Sequence, residues 1–103
     1  VRALILSLLL ATPAAADPIP APGLYCPVGR DVTAIVVEPG GVVGIDSLEC
    51  HGVRLAAGRL SSRRCYGNGG RPVPYDTELF VLPGGGLLHD GVRYRRQAGR
   101  CPE

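Results

Sequence analysis

The chain has 103 residues and a formal net charge of +2, with 15 Gly, 10 Pro and four Cys but no Met or Trp. All 11 basic residues are Arg. This size excludes a multidomain enzyme and a polytopic membrane protein. The Gly and Pro punctuation leaves no room for the helices of a βαβ nucleotide fold.

Residues 1–16 read as an address. Arg2 is a short positive region, residues 3–11 (ALILSLLLA) are apolar, Pro13 breaks the run, and Ala14, Ala15 and Ala16 end it with small side chains. This is the pattern of a secretory signal, with cleavage expected after Ala16. The apolar run is about half of the roughly 20 residues a spanning helix needs. Val1 in the first position is read as an alternative bacterial start codon. Cys26 follows the bulky Tyr25, which argues against lipid attachment. The expected product is a soluble exported protein, periplasmic or extracellular, with no transmembrane segment after cleavage.

Residues 17–22 (DPIPAP) carry Pro at alternate positions and predict a flexible leader. Residues 23–103 predict a single small domain. Its Gly-free and Pro-free runs are too short for ordinary helices and read as strands. Residues 31–37 (DVTAIVV) predict a strong strand, residues 38–41 (EPGG) a turn, and residues 42–45 the return. Residues 48–51 are expected to continue that strand after an irregularity at Asp46 and Ser47. Residues 53–56 and 59–66 (RLSSRRCY) predict two more strands around a turn at Ala57 and Gly58. Residues 67–74 (GNGGRPVP) read as an irregular loop, and residues 75–82 (YDTELFVL) as a second strong strand. After PGGG at 83–86, residues 87–89 return. Asp90-Gly91 suits a two-residue type I′ hairpin. Residues 92–96 close the series, with Val92 and Tyr94 on one face and Arg93 and Arg95 on the other. Six to eight short strands at hairpin spacing predict an all-β fold: a small antiparallel meander forming a barrel or a two-sheet sandwich.

Four Cys in a small exported chain predict two disulfides. Folding the chain back at residues 38–41 brings Cys26 to the end where Cys50 lies. The expected pairing is therefore Cys26–Cys50 with Cys65–Cys101, and the runner-up is Cys50–Cys65 with Cys26–Cys101.

Constellations for chemistry are sparse. Cys50, His51, Cys65 and His89 lack the C-x-x-C and H-x-x-x-H spacings of zinc modules, so no metal or other cofactor is expected. Ser47, Ser61 and Ser62 sit in no nucleophile motif. His89 and Asp90 are adjacent, and neighbours on a strand point to opposite faces. No catalytic residue is assigned and no enzyme is expected. The Gly-rich run at 67–70 has no Lys and no following helix to make a phosphate loop.

Charge is segregated. Between Cys50 and Tyr75 lie Arg54, Arg59, Arg63, Arg64 and Arg71 with no acid, and between Gly91 and Cys101 lie Arg93, Arg95, Arg96 and Arg100 with no acid. Neighbouring basic segments would form one cationic surface, since Arg makes forked bonds to phosphate and carboxylate. The expected binding residues are Arg59, Arg63, Arg64, Arg71, Arg93, Arg95 and Arg96. The expected partner is an envelope component: an anionic lipid, a polysaccharide or an acidic protein, and not a nucleic acid. Two competing readings are a structural envelope accessory without a tight ligand and a small metal- or thiol-dependent enzyme using His51 or His89.

The start Gly23-Leu24-Tyr25-Cys26, followed by strands, resembles the small periplasmic barrels of the membrane-bound C-type lysozyme inhibitors. The resemblance covers these few residues. That family's inhibitory loop pattern is not evident, and no site residue is carried over from it.

Overall fold

A computed structural model describes residues 16–102 of the chain. The expected signal segment, apart from Ala16, lies outside the described residues. The fold is all-β and holds ten strands among the described residues. They are β1 (Gly23–Pro27), β2 (Ile35–Glu38), β3 (Val42–Ile45), β4 (Leu48–His51), β5 (Arg54–Ala56), β6 (Arg59–Tyr66), β7 (Pro72–Glu78), β8 (Phe80–Val81), β9 (Leu87–His89) and β10 (Val92–Gln97).

Every ladder is antiparallel, and the order follows the chain. β1 pairs β2, β2 pairs β3, β3 pairs β4, and β4 and β5 pair successive stretches of β6. β6 then pairs β7, β8 pairs β9, β9 pairs β10, and β10 returns to β1. The sheet is curled into a half-barrel, and its two flanks share one chain segment. β7 runs through Leu79 into β8, and the Leu79 amide donates to the Gly58 carbonyl at 2.9 Å.

Several expected elements change shape for identifiable reasons. Within residues 31–37 only the last three join a strand, because the β1–β2 ladder ends at Tyr25↔Ile35 and residues 31–34 have no partner. Asp46 and Ser47 form a tight turn rather than an irregularity, both in the left-handed region with φ of 51° and 65°. Asp90 and Gly91 form the same kind of turn, with φ of 51° and 77°. At Ala57-Gly58 the turn lets the Phe80 ring lie against Gly58, where a Cβ would collide with the ring.

Alternation builds the core. β2 reads buried-exposed over IVVE, and β10 buries Val92 and Tyr94 while Arg93 and Arg95 face out. Tyr25, Ile35, Val37, Val43, Ile45, Leu55, Leu60, Leu79 and Leu87 fill the interior between them. The leader expected at residues 17–22 makes contacts with the domain. The Asp17 amide donates to Leu55 O at 2.6 Å, Ile19 packs on the core, and the Tyr25 hydroxyl donates to Ala21 O at 2.6 Å. Alternate Pro residues give an extended strap, and apolar Ile19 gives it a reason to lie down.

The disulfides are Cys26–Cys101 and Cys50–Cys65, not Cys26–Cys50 and Cys65–Cys101. The correction follows from strand order. Two strands, β2 and β3, lie between β1 and β4. At about 4.8 Å per strand, Cys26 and Cys50 stand roughly 14 Å apart, beyond the ~7 Å reach of a disulfide. Cys50 instead faces Cys65 directly across the β4–β6 ladder, and β10 beside β1 delivers Cys101 to Cys26. Two disulfides are consistent with an oxidising, exported location.

Candidate functional site

Two polar regions stand out. The first is a knot around His89, which is only 2 % exposed. Its Nδ1 lies 2.7 Å from the Glu78 carbonyl, and its Nε2 lies 2.9 and 3.0 Å from the two Asp46 oxygens. Asp90 Oδ2 is 3.6 Å from the same nitrogen, and the Tyr75 hydroxyl donates to Asp46 Oδ2. A carbonyl only accepts, so Nδ1 donates to Glu78 O, and the Asp46 carboxylate favours a second proton on Nε2. Burial pushes its pKa down, but the Glu78 carbonyl, the Asp46 hydrogen bond and the charges of Asp46 and Asp90 outweigh burial and raise it. The Tyr75 hydroxyl is pushed up to about 12 by burial and then by its bond to the Asp46 carboxylate and that group's charge. Burial, with the charges of Asp46 and Asp90, also raises Tyr94.

Asp46, His89 and Asp90 bring three donor atoms within 4.8 Å of one another, which makes them the residues best placed to hold a cation. The Glu78 carbonyl engages Nδ1, so Nε2 is the ring nitrogen that faces both carboxylates. The knot joins the β3–β4 turn to β9 and to β7.

The second region is a groove of about 600 Å³ that straddles β6. Its floor arises where two ladders fail at one level. On one side β4 and β5 are parted by Gly52 and Val53, with Gly52 at φ +58°. On the other side the β6–β7 register shifts between Ser62 and Cys65. Pro74 lines the groove here, and it has no N–H to restore the ladder. Arg63 is consequently the one residue of β6 with no ladder partner on either edge. The Ser62 hydroxyl stitches the irregular turn, donating to His51 O at 2.6 Å and accepting from the Arg64 amide at 3.0 Å. Bulges of this kind re-aim side chains and cluster near binding sites.

Arg54, Arg63 and Arg64 line the groove. The Arg64 guanidinium reaches over Gly52, where a Cβ would meet its Nη2 at 3.8 Å. Among the described residues none of these three Arg has an ion-pair partner, whereas the nearby acids are engaged. Asp76 is held by Arg59, with Nε–Oδ1 at 2.9 Å, and Glu49 by His51 Nε2 at 2.8 Å. His51 also stacks edge-on against Tyr66, with ring centroids 5.6 Å apart.

The seven expected binding residues therefore separate. Arg63 and Arg64 share the groove, and Arg59 is tied to Asp76 beside it. Arg71 is exposed in the loop before β7. Arg93 and Arg95 face out from β10, and Arg96 donates to Pro22 O through Nε at 3.1 Å and Nη2 at 2.8 Å. The two basic segments do not form one surface, because the β7–β8 segment and β9 lie between β6 and β10. The expected set omitted Arg54, which β5 places opposite Ser61. No family model, curated protein or solved structure matches the chain. The resemblance at Gly23–Cys26 therefore carries no functional weight.

Proposed function

We propose that this is a small exported β domain that binds an anionic component of the cell envelope through the Arg-lined groove across β6. The observation that supports this reading is the groove's charge balance: Arg54, Arg63 and Arg64 line it unpaired among the described residues, while Asp76 and Glu49 are already taken. Exposed cationic clefts concentrate anionic partners. The domain is read as a binder rather than an enzyme. His89 has both ring nitrogens engaged within the chain.

The test is co-sedimentation of the purified protein with anionic and with zwitterionic vesicles, as ionic strength rises from about 50 to about 500 mM. Binding should favour anionic vesicles, fall with salt and drop in an Arg63→Gln, Arg64→Gln variant. Equal binding to both vesicle types would refute the proposal. So would binding that salt leaves unchanged.

A further inference from the structure

We infer that the groove is a site for one phosphomonoester dianion. This deepens the proposed envelope-binding role and rests on it for location, but makes a narrower chemical claim. Two considerations select phosphate. The groove offers three unpaired guanidiniums, so a monoanion leaves more positive charge uncompensated than a dianion does. Guanidinium forks match phosphate oxygens two at a time, and a tetrahedral phosphate can face several forks, whereas a planar carboxylate offers only two oxygens. The groove volume of about 600 Å³ exceeds what a phosphate group fills, leaving space for the body that carries it along the wall formed by Pro74 and Tyr75. That body can be a lipid or a soluble sugar, and both present the same dianion.

The experiment uses the full oxidised domain at about pH 8, above the second phosphate ionisation near 6. Inorganic phosphate, glucose 1-phosphate and dimethyl phosphate are titrated by calorimetry and by backbone amide shifts. Phosphate and glucose 1-phosphate should saturate one site and move the amides of residues 61–64. Dimethyl phosphate, a monoanion, should bind at least about tenfold more weakly, the scale of one lost charge-assisted bond. Arg63→Gln and Arg54→Gln should each weaken phosphate by about tenfold or more. The double variant Arg93→Gln, Arg95→Gln should leave it unchanged. Vesicles containing phosphatidic acid, set against glucose 1-phosphate, separate a lipid source from a soluble one, and tight binding to either supports the site. Equal affinity for dimethyl phosphate, equal loss in the β10 variant, or no saturable phosphate binding would overturn the inference. If phosphate fails while salt-sensitive binding to anionic vesicles persists, the wider proposal stands and this narrower one falls.

Discussion

The His89 knot and the Arg63 groove are both polar interruptions in a small β domain, and they differ in one respect. In the knot every hydrogen-bonding group of the ring finds its partner inside the chain: Glu78 O on one nitrogen, Asp46 on the other, with Tyr75 on the same carboxylate. In the groove the ladders part, Arg63 is left without a strand partner, and three guanidiniums have no carboxylate among the described residues. A closed set of partners stabilises a fold, and an open set waits for something else. A buried His beside two acids looks more like an active site than a row of arginines does; the proposed binding role rests instead on the partner accounting.

This contrast can be broken experimentally, beginning with the bridge beside the groove. Cys50–Cys65 fastens β4 to β6 directly under the groove and closes a loop with a sequence separation of 15. Replacing both residues with Ala should lower unfolding free energy by about 3 kcal/mol in denaturant titration. Phosphate affinity should fall with it, because the floor of the groove loses its anchor.

A smaller effect is expected at the knot. His89→Gln leaves Glu78 O and Asp46 without their donors and should cost about 2 kcal/mol, while phosphate binding in the folded protein stays unchanged. The pH dependence sharpens the comparison. Because the folded pKa of His89 is raised above 6.5, the native state holds its proton more tightly than the unfolded chain. The stabilisation is fully present below that unfolded value and is lost as pH rises through the folded one. Urea midpoints of the parent protein should therefore fall across that window, and those of His89→Gln should not.

Tyr75→Phe removes one hydrogen bond to Asp46 and should cost about 1 kcal/mol. It should also remove the part of the alkaline stability loss that falls between the ordinary tyrosine value of 10.0 and about 12. The smallest effect belongs to the groove. Arg63 is exposed, and Arg63→Gln should shift the unfolding free energy by no more than about 0.5 kcal/mol while abolishing most anion binding. A large stability loss in that variant would mean that the groove is structural after all.

Much of the fold is legible in the residues themselves. Gly and Pro at short intervals exclude helices, alternation in residues 92–96 gives the faces of β10, and Asp90-Gly91 marks its turn. Strand order is not written locally, and the cysteine pairing depended on it. A hairpin at residues 38–41 makes Cys26 and Cys50 look close only if the strand entering that hairpin is β1, and it is β2. The knot was hidden for a similar reason. Asp90 is next to His89 in sequence, but the ring's main partner is Asp46, 43 residues away, which curling of the sheet brings across. In the groove, the arginines were visible and the grouping was not. Pro74 opposite RLSSRRCY was the available sign that a ladder would open there, and Gly52 on the other flank was the second.

The ring of neighbours has one more consequence. Every ladder but two joins consecutive strands: β4 pairs β6 past the short β5, and β1 pairs β10 across nearly the whole domain. Cys26 is therefore the first thiol to be made and the last to find its native mate, since Cys101 lies 75 residues downstream. Until β10 arrives, Cys26 is exposed to Cys50 and Cys65 as wrong partners. The Cys50–Cys65 bridge, with a sequence separation of only 15, takes those two thiols out of circulation once formed. Loop closure therefore favours the central bridge over the seam between β1 and β10, whose cysteines are 75 residues apart.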